Sequence, residues 1–248
     1  MSYDDYTGLC VAIDAGVAQV TLVNPPVNML DTTLINELHD FVGAVREDER
    51  VRVIVLQSAD PDFFVAHVDL GFMLEPETFA ELANPDAGTG RDESLLNPVQ
   101  KLMLRFRALP QVTIAKLAGR LQGGGNELGR ARALEVILGG NLFDAELAER
   151  YGWINRALPA GELDRFVDDL ARRIASLRPE QIAAAKAAVE AAATSGSLPE
   201  GLDEESRALG GVYPAPDSVV ARMRAAVAAG AQTREGELDL EASLDRTP

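Results

Sequence analysis

LAGRLQGGGNELGRARALEVILGG, residues 117–140, decides how this 248-residue chain is read. It opens at the end of a strand-like run, VTIAKLAG (112–119), passes through Gly123, Gly124 and Gly125, and meets a lone carboxylate, Glu127, before turning into LEVILGG. Glycines let a backbone approach a ligand closely, and if a helix begins here its unpaired N–H groups form an anion or oxyanion site with Glu127 in the first turn. A plainer reading is a tight strand-to-helix turn in which Glu127 is only a favourable first-turn charge. Local sequence leaves both open. No Gly-Lys-Ser/Thr follows and no GxGxxG spacing occurs, so neither nucleotide fingerprint applies.

Outward from this stretch, strand and helix signals alternate. VAQVTLV (17–23) has an apolar period of two and pairs with LCVAID (9–14) across the Ala15-Gly16 turn. NPPVNML then breaks regular structure, and Asp31 caps a helix over 32–46 with Leu34, Leu38, Phe41, Val42 and Val45 on one face. VRVIVLQS (51–58) is apolar enough for a strand buried on both sides. ADPDFFVAHVDLGF leaves that strand through Pro61 into a loop, and residues 74–91 predict a short helix or a mobile flap. Asn97-Pro98 is a cap and first-turn proline opening the amphipathic VQKLMLRFRAL.

From Asp144 onward the pattern is almost wholly helical. Asp144 caps AELAERYG, helices follow over 163–177 and 179–193, SGSLPEGL introduces a tail, and 218–229 predicts a last helix before an acidic end. The fold class is α/β: a ββα core over residues 1–143, then a helical region over 144–248.

Composition narrows the partners. The net charge of −16 repels nucleic acid and anionic membranes at long range. A polyanionic small ligand would need a local basic cluster. No run approaches the roughly 18 apolar residues of a membrane span, and the acidic MSYDDYTGLC lacks the features of a signal peptide, which points to a cytoplasmic protein. Cys10 is alone, so neither disulfides nor a thiolate metal cluster are expected, and two histidines make a His-based metal site unexpected as well.

FFVAHVDL (63–70) is the second stretch of interest. Small residues after a buried strand can present a backbone N–H to a ligand, and His67 is either a general base or a loop and packing residue.

Four blocks in order, VTLVNPPVNMLDTTLINEL, FFVAHVDL, GGGNEL and ALEVILGGNLFDAELAERYGWINRALP, resemble the enoyl-CoA hydratase/isomerase family, the crotonases, over roughly residues 9–193. The resemblance implies a crotonase-like ββα spiral core with a helical C-terminal region that assembles into a homotrimer or homohexamer. It implies an acyl-CoA substrate, fatty acid metabolism and no cofactor beyond the coenzyme A of the substrate itself. Two backbone N–H groups of the family hold the thioester oxygen and stabilise an enolate. Position by position these fall on Val68, just before the acid of the FxAGxDL pattern, and on Gly124, the middle glycine of GGGxE. Val27, Met29, Leu30, Ala66, Asp69, Leu70 and Gly123 fall on positions that line the ligand path. His67 stands where the family pattern has glycine, and an imidazole there either clashes with or contacts the pantetheine. Glu127 matches a carboxylate that positions and activates water.

The second carboxylate of the hydratases, in a later FGQPE-like loop followed by a glycine-rich stretch, has no counterpart. GGGNEL abuts RALEVILGG directly, with a seam at residues 129–132. Either a segment is omitted, or the deletion is genuine and leaves a weak or inactive acyl-CoA-binding relative, or the chemistry needs only the oxyanion hole and Glu127. A genuine deletion would strip a layer from the core and expose apolar surface.

Overall fold

Strand β1 (Leu9–Asp14) turns at Ala15-Gly16 into antiparallel β2 (Val17–Leu22), as the alternation in both runs dictates. The computed structural model describes residues 3–75, 77, 82, 85–90, 92–93, 95–121, 128–234 and 238. Helix α1 (Thr32–Arg46) begins where Asp31 accepts a hydrogen bond from Leu34 N at 2.9 Å and buries the face read from sequence, Leu34 to Val45. Strand β3 (Val53–Ser58) returns parallel to β2, and β5 (Val112–Ala115) adds parallel to β3, giving the order β1-β2-β3-β5.

Between them lie β4 (Phe63–Val65), the single helical turn α2 (Gly71–Leu74) and α3 (Pro98–Arg107), the last opened by a capping box between Asn97 and Gln100. A two-residue strand β6 (Arg120–Leu121) follows β5 and pairs parallel with β4. The pairs β3/β4 and β5/β6 each give one strand to the large sheet and the next to the small one, which is the repeat of a ββα spiral.

Strand β3 is apolar on both sides because both sides are covered. Ile54 joins Val20, Leu34, Phe41 and Val45 in a core under α1. Val53 and Val55 face the other way with Val17 and meet Val167, Ala171 and Ala175 of α6 (Ala160–Ala175). Burying each of the valine, leucine, isoleucine and phenylalanine side chains contributes about 1.5–3 kcal/mol. The Arg52 guanidinium also donates to Ala175 O at the end of α6.

Helices α4 (Arg130–Gly139) and α5 (Ala145–Tyr151) form a hairpin of their own. Arg132 donates to Tyr151 O at 2.7 Å, Tyr151 OH donates to Glu135, and Phe143 packs on the rings of Tyr151 and Trp153. Its apolar side chains Ile137, Leu138 and Leu142 are 58%, 78% and 75% exposed.

Two compact units follow one another along the chain, Met1–Pro179 and Glu180–Pro248. Helices α5 and α6 therefore lie in the first unit, α6 because its small apolar stripe completes the core behind β3. The second unit holds α7 (Pro179–Thr194), α8 (Leu198–Gly210) and α9 (Asp217–Ala228). Helix α8 falls on the proline- and glycine-bearing stretch read as a tail. Ser197 caps it and Pro199 sits in its first turn, where a missing N–H costs nothing. Among the described residues no helix is long and apolar enough to cross a membrane.

Candidate active site

The loop between β2 and α1 is built around Asn28. Its side chain is buried, its φ is +49°, and Asn tolerates that left-handed backbone better than most residues. Asn28 Oδ1 accepts from Asn24 N at 2.7 Å, while Nδ2 donates to Ser58 Oγ at 2.6 Å and Phe63 O at 3.3 Å. Ser58 Oγ in turn bonds Asp60 N and Phe63 O. One asparagine thereby joins the ligand-loop segment 24–30 to the end of β3 and the start of β4.

The same loop then zips along the exit of β4. Ala66 N donates to Val27 O at 3.3 Å, Leu30 N to His67 O at 2.9 Å, and Asp69 N to Leu30 O at 3.0 Å. Leu30 and Val68 are consequently bridged in parallel. A trans peptide points its C=O and N–H in opposite directions. Since His67 O and Asp69 N both face Leu30, the N–H and C=O of Val68 both face the other side. No described residue accepts a hydrogen bond from the Val68 N–H, and Val68 is 37% exposed. An extended backbone held by its neighbours leaves one donor open, as an oxyanion site requires.

Val68 O, on that open side, accepts from His67 Nδ1 at 2.8 Å. The carboxylate of Asp69 turns instead to Gly71 N at 2.8 Å and fixes the entry to α2. Ala66 is buried and Leu70 stands 60% exposed.

Strands β4 and β6 carry the two loops singled out from sequence. Phe63 pairs with Arg120, whose guanidinium lies 6.0 Å from the phenyl centroid, and Val65 pairs with Leu121. Because the strands are parallel, Val65 and Leu121 end them on the same side. Gly119 permits this pairing: with φ +78°, its backbone runs so close to Asp62 that an added Cβ would stand 2.4 Å from Asp62 C. Gly123, Gly124 and Glu127 lie outside the described residues. Past them, Gly129 (φ +73°) is the N-cap of α4 and its carbonyl accepts from Ala133 N, so RARALEVILG forms a helix of its own.

The structure brings Val27, Met29, Leu30, Ala66, His67, Val68, Asp69 and Leu70 together in one two-stranded patch. Asn28, Ser58 and Gly119 are the site-building residues that sequence reading passed over. The only local hint was an asparagine inside a proline-rich break.

Strands entering two sheets alternately, with an open backbone donor just past the end of β4, define a crotonase-type ββα spiral. The sequence matches enoyl-CoA hydratase/isomerase over residues 12–131 and again over 126–218, and the chain belongs to that family. A Streptomyces avermitilis protein assigned as an enoyl-CoA hydratase is 36% identical, with 98% of each chain covered and a TM-score of 0.67. A Mycobacterium tuberculosis protein assigned as an enoyl-CoA hydratase is 27% identical over 242 aligned positions that take in 86% of this chain and 92% of that protein. A Bacillus subtilis protein, likewise assigned, is 31% identical over 129 residues, 52% of this chain, and the match spans less than half (45%) of that relative's length.

Proposed function

We propose that this chain acts on acyl-CoA thioesters, holding the thioester oxygen in a backbone oxyanion hole. The observation that carries the reading is the Val68 N–H, fixed by the bonds of its neighbours to Leu30 and left open on the far side. Gly124 is the second donor; it follows Leu121 by three residues, as Val68 follows Val65. Glu127 then positions the water that adds to an enoyl thioester, and Val27, Met29, Leu30, Ala66, His67, Leu70 and Gly123 border the acyl-CoA path. Such preorganised donors act on charge that develops only in the transition state, each worth about 3–4 kcal/mol. Assembly into a trimer or hexamer belongs to the same reading and is checked by sedimentation.

The rival is an acyl-CoA-binding relative with little or no turnover. It is favoured by the seam. The two matched stretches meet at residues 126–131, and the 242 positions aligned with the Mycobacterium tuberculosis protein use only 86% of this 248-residue chain, so part of that relative faces a gap here. The apolar side of α4 is exposed, as loss of a covering layer would leave it.

Loss of enoyl absorbance on mixing the protein with a four-carbon enoyl-CoA tests both. Turnover abolished in Glu127→Ala supports the enzyme. No turnover across chain lengths, with calorimetric binding of a CoA ester, leaves the rival; no binding of any CoA ester removes both.

A further inference from the structure

We propose that His67 is the proton carrier of this site, working from the same open edge as the Val68 donor. The inference rests on the acyl-CoA reading above.

Three observations lead to it. The His67 Nδ1 lies 2.8 Å from Val68 O, and a carbonyl oxygen can only accept, so Nδ1 carries the hydrogen. In the neutral ring Nε2 is then the unprotonated nitrogen, and no described residue bonds it. Second, Val68 O and the Val68 N–H point to the same side, away from Leu30, so the imidazole is tethered a few ångströms from the place where the thioester oxygen is held. Third, the other histidine is committed elsewhere. His39 is buried, with Nε2 against Pro98 O at 3.0 Å and Nδ1 against Arg105 at 2.9 Å. Of the two imidazoles, His67 alone is half-exposed and has a nitrogen left for chemistry.

The step balances with one water and no further reagent. As the water oxygen bonds to Cβ of the enoyl thioester, a water proton passes to His67 Nε2. The Cα=Cβ electron pair moves toward the thioester, whose oxygen gains charge at the Val68 N–H. The imidazolium then returns its proton to Cα, which restores the neutral ring and completes the addition of water. An imidazole serves because its free Nε2 can take up a proton and give it back while Nδ1–H stays on Val68 O. With Glu127 assigned to the water and no FGQPE-like second carboxylate in the sequence, delivery of the proton to Cα has no other assigned carrier.

His67→Gln separates this role from a structural one. Its side-chain amide can still donate to Val68 O, yet it carries no proton. If His67 only braces the loop, His67→Gln hydrates a four-carbon enoyl-CoA at close to the wild-type kcat. If it carries the proton, kcat falls about a hundredfold or more, as it does in His67→Gly, while KM and the calorimetric affinity for a saturated CoA ester stay within about threefold. Recovery of His67→Gly by added imidazole is a further expected result. A His67→Gln enzyme within threefold of wild type in kcat, or one whose loss lies wholly in KM, overturns the proposal. Absence of turnover in the wild-type chain would instead remove the parent enzyme reading, so the two failures are distinguishable.

Discussion

Asn28 Nδ2 donates to Ser58 Oγ at 2.6 Å across 30 residues of sequence, and this bond ties the loop before α1 to the end of β3. The same amide reaches Phe63 O and its carbonyl holds Asn24 N, in a residue only 2% exposed. Asn28→Ala therefore leaves several buried groups unpaired at once and places alanine at φ +49°. We expect a loss of about 1–3 kcal/mol in stability, read from the urea midpoint, and weaker CoA-ester binding because Val27 and Leu30 lose their register against β4. Asn28→Gly keeps the backbone angle but not the bonds. If it matches wild type in both measurements, the side-chain network is not what sets the loop.

Gly119 makes a sharper steric case. A Cβ there would stand 2.4 Å from Asp62 C and 2.7 Å from Phe63 N, both backbone atoms that cannot swing aside, and φ is +78°. Gly119→Ala must displace β6 from β4 or strain the pairing, at a cost of about 1–3 kcal/mol. Thermal unfolding measures the cost. Unchanged stability together with unchanged CoA-ester affinity would mean that β4 and β6 separate freely and do not set the site.

These two residues show where sequence reading stopped. The elements with local causes were legible: Asp31, Asn97 and Asp144 each cap the helix their position suggested, and the unbroken apolar run of β3 has a core on either face. The open donor at Val68 was placed by a family resemblance, and the bonds from Leu30 supply its geometry. Asn28 and Gly119 were not legible, because the contacts that tie them to β3 and β4 reach 30 or more residues along the chain and leave no periodic trace. Helix α8 was passed over for a different reason. Pro199 and Gly201 read in isolation as chain breakers, whereas a proline in the first turn after a serine cap starts a helix. Helix α6 answers to the β-sheet core it closes, which its helical composition alone does not reveal.

His39 gives the fold a pH dependence with a definite sign. It joins α1 to α3 through Pro98 O and Arg105, and burial, assisted by the charges of Arg105 and Lys101, holds its pKa below the ordinary histidine value of 6.5. The unfolded chain then binds this proton more readily than the folded one. The contribution of neutral His39 is fully present above pH 6.5 and is lost as pH falls from there through the depressed folded value. Urea midpoints measured from pH 7.5 downward should decline through this range in wild type. In His39→Gln, which has no proton to gain, the decline over the same interval should be smaller; an identical slope would show that other groups produce it.

The open donor at Val68 can be removed without touching its supports. Leu30 is held by His67 O and Asp69 N, so the Val68 N–H takes no part in the bridge. Proline lacks that N–H and suits extended backbone at the end of a strand. Val68→Pro is therefore expected to fold with a thermal midpoint near wild type and to bind a saturated CoA ester within a small factor. Enoyl-CoA hydration should fall about 100- to 1,000-fold in kcat, the cost of one oxyanion donor. A Val68→Ala control keeps the N–H and should retain near-wild-type kcat. Equal kcat in a folded Val68→Pro enzyme and in wild type would remove Val68 from the oxyanion hole, because nothing else about the bridge to Leu30 has changed.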